Sequence, residues 1–379
     1  MSRKRLMLVF GTRPEAIKMA PVAAALRGLP EFDVQVVVTA QHRELLDRVL
    51  AGFGVVPDED LDLMQPGQTL PDLFSRVLAG VTAAVARRKP DMVLVHGDTT
   101  TTLAAALAAF YSRVPVAHVE AGLRTGNLGA PWPEEANRRL VTPLAALHFA
   151  PTEHARAHLL AENVPAETIQ VTGNTVVDAL LTSVGRIEQD PRLREAIEQQ
   201  LPTIPPGNKL VLVTGHRREN FGAPLESVCR ALLEIASLGG VDVVYPVHPN
   251  PLVGGPVQAA LAHHPGIHLV PPLDYLPFVW LMRRADVLLT DSGGIQEEAP
   301  ALKTPVLVLR ETTERPEAID AGTARLVGTS QRDIVHWTRK LLFDDQQYGA
   351  FADKPNPFGD GRAAERIGAA IQAWFRSAG

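Results

Sequence analysis

The sequence is short of the features that mark most specialised protein classes. It holds one cysteine, Cys229, so no internal disulfide can form. That cysteine lies in an apolar-periodic stretch, 225–236, and reads as a small core residue rather than a reactive thiol. No segment reaches the roughly 18 consecutive apolar residues of a membrane span. Near the start, positive charge precedes an apolar run at 6–10, which stops at Gly-Thr-Arg-Pro-Glu. A secretory leader needs a longer apolar region and a small-residue cleavage site, so a reducing cytoplasm is the expected setting. Lys and Arg number 37 against 42 Asp and Glu, a net charge of −5, and no basic run stands out. A nucleic-acid or membrane partner is therefore not expected, although a small anionic ligand needs only local positive charge. The sequence contains no G-x-G-x-x-G and no G-x-x-x-x-G-K-[ST], which argues against a bound dinucleotide and against P-loop chemistry. It has no HExxH and no Cys/His spacing of a metal site, no short-period repeat and no low-complexity tract.

What is present is an alternation of short apolar runs with longer helical patterns. The length of 379 residues exceeds what one core usually supports, so two domains are expected. Candidate strands in the first half are 5–11, 34–40, 92–98, 114–120, 146–152 and 168–174. Those in the second half are 209–216, 241–248, 267–273, 287–291, 305–310 and 324–328. Helix-like segments such as 16–27, 102–111 and 225–238 lie between them. Continuous apolar strands separated by helices imply parallel sheets covered on both faces. The pattern occurs twice, giving an α/β expectation of two Rossmann-like domains facing across a cleft. We expect the first at 1–180, joined by a C-terminal helix within 361–379, and the second at 181–360. The stretch 186–208, polar and then Pro/Gly-rich, reads as a linker or domain edge.

Ligands of open parallel sheets bind beyond the carboxyl ends of the strands. The unusual polar residues of this sequence fall there. GTRPE (11–15) follows the first strand, HGD (96–98) and four threonines end the third, and HVE (118–120) ends the fourth. In the second half, TGHRREN (214–220), DSGG (291–294) and RETTERP (310–316) occupy equivalent places.

Ser292, Gly293 and Gly294 form a strand–turn–helix junction. Its glycines let backbone N–H groups approach a phosphate, and the helix start adds a positive dipole end. Glu298, in the first turns of that helix, suits a ribose diol; the plainer alternative is a capped helix with an acid at its N-terminal end. Arg13 and Lys18 sit near another helix start, where the dipole disfavours cations, which suggests an anion between them; the alternative is an exposed cationic face. His216, Arg217, Arg218 and Arg315 supply donors for phosphate oxygens, with intramolecular salt bridges expected to absorb at least one arginine. Asp98, Glu120 and Glu134 are the expected chemistry. Acids that share a site push their proton affinities apart, creating an acid and a base. The alternatives are a turn residue for Asp98 and a capping acid for Glu134. His42, His118 and His248 also lie near strand ends and read as hydrogen-bonded wall residues.

Taken together, FGTRPEAIKMAP (10–21), TAQHR (39–43), VHGDTT (95–100), HVEAGLRT (118–125), PEEANR (133–138), GHRREN (215–220), DSGGIQEE (291–298) and TERPE (313–317) resemble the non-hydrolysing UDP-N-acetylglucosamine 2-epimerases of bacteria. The likeness runs from the first strand to NPFGDG (356–361). It implies a GT-B fold whose last helix returns to the first domain. It also implies interconversion of UDP-GlcNAc and UDP-ManNAc through elimination and re-addition of UDP, in a homodimer, without metal, nicotinamide or other cofactor. The product would serve cell-surface polysaccharide synthesis. By matching position, substrate binding falls on Arg13, Lys18, Leu273, Phe278, Ser292, Gly293, Gly294, Glu298 and Arg315, with Phe278 on the uracil side. The roles at the reacting sugar fall on Asp98, Glu120, Glu134 and His216. Some family members bind a second UDP-GlcNAc as an activator, and Gln41, His42, Glu134, Arg217 and Arg218 match that place. There the sequence departs from the regulated members, with Gly67 in place of an arginine and Glu44 in place of a glutamine. Three other functions share parts of this pattern: a hydrolysing epimerase that releases UDP and ManNAc, a GT-B glycosyltransferase, and a nucleotide-sugar sensor.

Overall fold

Uninterrupted apolar segments make the centre of each sheet. In the computed structural model, which describes residues 3–39, 43–65, 67–215, 217, 220–248 and 250–377, Leu6 to Phe10 and Met92 to Val95 are fully buried. Apolar burial on both faces is what a central parallel strand requires. The first sheet contains β1 (Lys4–Phe10), β2 (Phe32–Val38), β3 (Glu59–Asp60), β4 (Met92–His96), β5 (Val116–Val119), β6 (Leu147–Ala150) and β7 (Ile169–Val171). Their order is β3-β2-β1-β4-β5-β6-β7, with parallel pairing throughout. The second sheet contains β8 (Lys209–Thr214), β9 (Val241–Pro246), β10 (Ile267–Val270), β11 (Val287–Thr290), β12 (Val306–Val308) and β13 (Ala324–Leu326). It runs β10-β9-β8-β11-β12-β13, again parallel. Both orders reverse direction beside the first strand of the sheet, the arrangement of a Rossmann-like unit. Two such units with their helices make the α/β, GT-B class expected from the sequence.

Each sheet is covered by helices with amphipathic or wholly buried faces. In the first unit the helices Leu70–Arg88 and Thr100–Tyr111 pack Val77, Val81, Ala105 and Ala109 against β1 and β4. In the second, Ala223–Ala236 and Gln331–Phe343 bring Leu232, Ile235, Ile334 and Leu341 to the core, and Cys229 is buried among them. Side-chain oxygens start many of the helices. Thr12 with Glu15 and Thr69 with Asp72 form reciprocal capping boxes. Among the described residues no helix is long and apolar enough to cross a membrane.

Three departures from the sequence expectations have physical reasons. The first sheet has seven strands because Glu59–Asp60 adds a polar two-residue edge, too short to show any alternation. The expected strands 92–98 and 114–120 overrun the true ends at His96 and Val119, since Gly97 (φ 66°) and Glu120 (φ 63°) turn into the left-handed region. The stretch 186–208 is not a plain linker. Asp190 caps a helix at Pro191–Glu198, whose C-terminal side lies against helix Tyr275–Arg284 through Trp280 Nε1, which donates to Glu198 at 3.2 Å. The chain instead leaves its first unit (Met1–Ala179 and Phe358–Gly379) for its second (Leu180–Pro357) inside helix Thr175–Gln189. Helix Ala363–Ser377 packs within the first unit, against helix Arg13–Arg27.

Candidate active site

The carboxyl edge of the first sheet begins with a forced glycine. β1 ends at Phe10, and a Cβ on Gly11 would stand 2.1 Å from Thr39 Oγ1 and 2.9 Å from Thr101 Oγ1. Only a residue without a side chain lets the loop pass there on its way into helix Arg13–Arg27. Glu15, in the same motif, is a scaffold acid. Its Oε2 accepts from Gly11 N (3.0 Å) and Thr12 N (2.8 Å), while Oε1 accepts from Thr99 Oγ1 (2.7 Å) and Thr102 Oγ1 (3.2 Å). Full burial raises its pKa, and these hydrogen bonds oppose the rise. One carboxylate thus ties the loop after β1 to the loop after β4.

Lys18, on the second turn of that helix, reaches across to Glu120 at the end of β5, and the two form a largely buried ion pair. The anion that Lys18 faces in this structure is therefore the protein's own. Asn174 Nδ2 donates to the same Glu120 Oε2 at 2.9 Å, and His96 Nε2 lies 3.8 Å from it. Glu120 Oε1 rests 3.7 Å from where a Cβ on Gly97 would be, beside Asp98. Strands β4 and β5 are neighbours, with His96 opposite Val119, so Asp98 and Glu120 follow the ends of adjacent strands, and Glu120 lies against His96. Glu120 holds its left-handed backbone at a polar edge, where functional residues concentrate such strain.

Asp98 is fixed from helix Glu134–Val141. Arg138 pairs with its carboxylate, and Asn137 Nδ2 donates to its backbone carbonyl at 2.9 Å. The adjacent acids divide their work. Glu135 is fully buried, accepts from Thr125 N and Gly126 N, and pairs with Arg139 at 3.0 Å. Glu134 opens the helix, with a half-buried side chain. Arg13 is also half-buried, and among the described residues no side chain hydrogen-bonds or ion-pairs with its guanidinium. It keeps the donors that Lys18 has committed.

The histidines at this edge are buried and neutral. Burial pulls His96 down to about 4 and His118 to about 3, the latter with Nε2 held 2.7 Å from Gly97 O. A group whose folded pKa lies below its unfolded value of about 6.5 binds fewer protons when folded. Its stabilisation is complete above pH 6.5 and is lost as pH falls through that value toward 4. For His96 alone the loss amounts to roughly 3 kcal/mol. Glu15, with a raised pKa, acts in the opposite sense. We therefore expect a His96→Met variant to lose less stability than the wild type between pH 7 and pH 4.5 in urea titrations. Parallel decline of the two proteins would show that His96 is not carried neutral into the fold.

The second sheet's edge is organised by Asp291, which follows β11 and is fully buried. It accepts from Arg217 N (2.9 Å) and Asn220 Nδ2 (3.2 Å), holding the loop after β8 against the loop after β11. Ser292 N donates to Thr290 Oγ1, and a short helix, Gly293–Glu298, begins. Glu298 closes that helix instead of opening it, so dipole preference does not account for this acid. It is nearly buried and accepts from Tyr275 Oη at 3.3 Å. Tyr275 starts helix Tyr275–Arg284, and half-buried Phe278 lies one turn on; Leu273, also half-buried, precedes it. Arg315 lies across the glycine turn, its Cζ 3.8 Å from where a Cβ on Gly293 would be. Its Nε pairs with Glu297, which is 1% exposed, and Thr313 with Gln296 braces the same loop at 2.7 Å. The expected internal salt bridge thus falls on Arg315, and it orients the guanidinium over the backbone of Gly293. Arg217 has a long contact to Glu314, 4.0 Å.

His216, Arg218, Gln41 and His42 lie outside the described residues. Gly67 adopts φ 72°, a conformation that an arginine there would adopt only with strain. Sequence reasoning gave Asn137, Arg138, Asp291 and Glu297 no role of their own, although each stands in one of the motifs, and it passed over Asn174. Asn137 and Arg138 stand three and four residues after Glu134, the spacing that puts them on its helix face, and that was the one local signal available.

The UDP-N-acetylglucosamine 2-epimerase family model matches residues 24–372. The chain is 56% identical to the UDP-N-acetylglucosamine 2-epimerase of Salmonella typhimurium, over 98% of this chain and 99% of that one. It is also 56% identical to the enzyme of that name from Escherichia coli K12, over 96% and 97%. Among solved structures, the Neisseria meningitidis UDP-GlcNAc 2-epimerase bound to UDP-GlcNAc superposes with a TM-score of 0.88 at 46% identity, covering 98% of this chain and all of that one. The Methanocaldococcus jannaschii enzyme, in complex with UDP-GlcNAc and UDP, gives 0.79 at 32% identity, covering 98% and 99%.

Proposed function

Because the chain belongs to the UDP-N-acetylglucosamine 2-epimerase family, we propose that it interconverts UDP-GlcNAc and UDP-ManNAc without net hydrolysis. The C2 hydrogen of the sugar is not α to a carbonyl, so a free carbanion at C2 is very costly. Elimination avoids it. As a base takes the C2 proton, the C–H electron pair forms the C1=C2 bond, the C1–O bond breaks, and UDP leaves with that bond's electrons. The product pair is 2-acetamidoglucal and UDP. A proton delivered to the other face of C2 and re-attack of UDP oxygen on C1 complete the epimerisation.

This route needs one proton acceptor and one proton donor at the sugar, and positive charge where the diphosphate departs. Asp98 and Glu120, which follow the ends of adjacent strands, with Glu134 on the helix that holds Asp98, answer the first requirement. Arg315 over the Ser292–Gly293–Gly294 turn answers the second, and by family position Arg13 and His216 are assigned to substrate binding as well. Glu298 takes the ribose hydroxyls, and Phe278 and Leu273 the uracil side. The single observation that carries the reading is the paired fixation of two acids at adjacent strand ends, each by its own cation: Lys18 on Glu120 and Arg138 on Asp98. Acids so held stay in place while a proton moves.

Product analysis tests the proposal. Purified protein given UDP-GlcNAc alone should generate UDP-ManNAc to an equilibrium mixture, with UDP far below stoichiometric. Steady accumulation of UDP and ManNAc would make it a hydrolysing enzyme. No turnover without an added sugar acceptor would point to a transferase.

A further inference from the structure

We propose that Asn174 is a positioning residue of this reaction, which holds the Glu120 carboxylate to the point where the chain crosses between its two units. The inference rests on the placement of Glu120 at the reacting sugar. Asn174 is 2% exposed and follows β7. Its side-chain Oδ1 accepts from the backbone N–H of Val176 at 3.0 Å, capping the helix Thr175–Gln189. That bond fixes which end of the amide faces which way. With the oxygen committed to the helix, the nitrogen faces Glu120, where Nδ2 donates to Oε2 at 2.9 Å. The arrangement needs an acceptor on one branch of the side chain and a donor on the other, and asparagine is the residue of that length that has both.

The anchor for this amide is the paired crossing itself. The helix it caps carries the chain from Ala179 to Leu180, and the chain returns at Phe358. Asn174 N donates to Phe358 O at 2.7 Å. Gly173 and Gly359 meet so closely that a Cβ on either would lie 3.3 Å or less from backbone of the other crossing. Asp178 accepts from Ala363 N (3.2 Å) and Ala364 N (2.8 Å), and Arg366 Nη1 donates to Thr172 O at 3.0 Å. The outgoing and returning segments are thus stapled together, and Asn174 is the side chain that joins the staple to Glu120. Lys18 places a charge on the same oxygen from a long, flexible stem, so the short amide is the partner that sets the direction of the carboxylate.

Asn174→Asp tests this directly. Aspartate caps a helix as well as asparagine does, so the fold keeps its helix start. It has no donor, however, and sets a second carboxylate against Glu120. We expect kcat for epimerisation to fall on the order of 10²-fold, with the acid limb of the pH–rate profile moved up by about one unit, because a like charge replaces a donor. Asn174→Ser, which keeps a capping oxygen but is too short to reach Glu120, should lower kcat with a smaller movement of the limb. A purely structural asparagine would instead lower the melting temperature and leave the limb in place. Unchanged kcat and limb in a folded Asn174→Asp or Asn174→Ser protein would overturn the inference. Glu120→Gln separates the two levels of failure. If it epimerises at the wild-type rate, Glu120 does not act at the sugar, and both readings fall. If it is inactive while Asn174→Asp behaves as wild type, only the role of Asn174 is lost.

Discussion

Replacing Asp98 with asparagine is expected to lower kcat/KM for epimerisation on the order of 10³-fold while the protein stays folded. Asparagine keeps the size and shape of the side chain, and Asn137 still holds the backbone carbonyl at this position. What disappears is the carboxylate's ability to exchange a proton and its charge opposite Arg138. That arginine side chain is 9% exposed, so its loss of a partner is felt, but Glu135 lies 3.9 Å from it and retains part of the compensation. The expected stability loss is therefore about 1–2 kcal/mol, a few degrees in melting temperature. Deuterium exchange at C2 and a thermal melt, run on the same preparation, separate the two effects. An Asp98→Asn protein within tenfold of wild type would remove Asp98 from the chemistry and leave it as a turn residue held by Arg138.

The second large effect is at Arg315. Arg315→Ala removes the guanidinium that pairs with Glu297, a carboxylate 1% exposed. Breaking a buried ion pair from one side costs about 3–5 kcal/mol. Arg315 itself is 16% exposed, which puts the expected loss near the lower end of that range. The same substitution removes guanidinium donors from beside the Gly293 turn, and the loss of a charge-assisted contact to a diphosphate should weaken UDP binding on the order of 10²-fold. The two consequences come apart in the double variant Arg315→Ala/Glu297→Ala. With the acid removed together with its cation, it should recover much of the melting temperature, yet its UDP affinity should stay low in calorimetry. A double variant that binds UDP as tightly as wild type would mean that Arg315 serves only as the counter-ion of Glu297.

These two residues show what was legible in the sequence and what was not. The strands were legible because buried parallel strands are long apolar runs bounded by helices, and twelve of them stood out; the edge pair Glu59–Asp60 buries nothing and gave no sign. That chemistry gathers at strand ends was also legible, since charged residues next to glycine and threonine are out of place after an apolar run. Which of two neighbouring acids is scaffold was hidden. Glu134 and Glu135 carry the same chemistry, and only the fold turns Glu135 onto Arg139 and the Thr125–Gly126 backbone. Likewise the sequence pointed to Glu298 and left its neighbour Glu297 without a role, yet Glu297 pairs with Arg315 while Glu298 sits under Tyr275. Asn174 was invisible for a different reason. It lies 54 residues from Glu120, and the contact exists because β5, β6 and β7 are adjacent in the sheet. The stretch 186–208 looks like a linker or domain edge because it is polar and then Pro- and Gly-rich, yet it holds the helix Pro191–Glu198, while the passage between units lies within the continuous helix Thr175–Gln189.

Proton transfer at C2 coupled to departure of UDP is the core of the proposed reaction. It is tested most directly by an NMR time course of the protein with UDP-GlcNAc in D2O. UDP-ManNAc is expected to appear with one deuterium at C2, and UDP-GlcNAc to acquire deuterium as the mixture approaches equilibrium. UDP-ManNAc that forms with its original C2 hydrogen would contradict the elimination route.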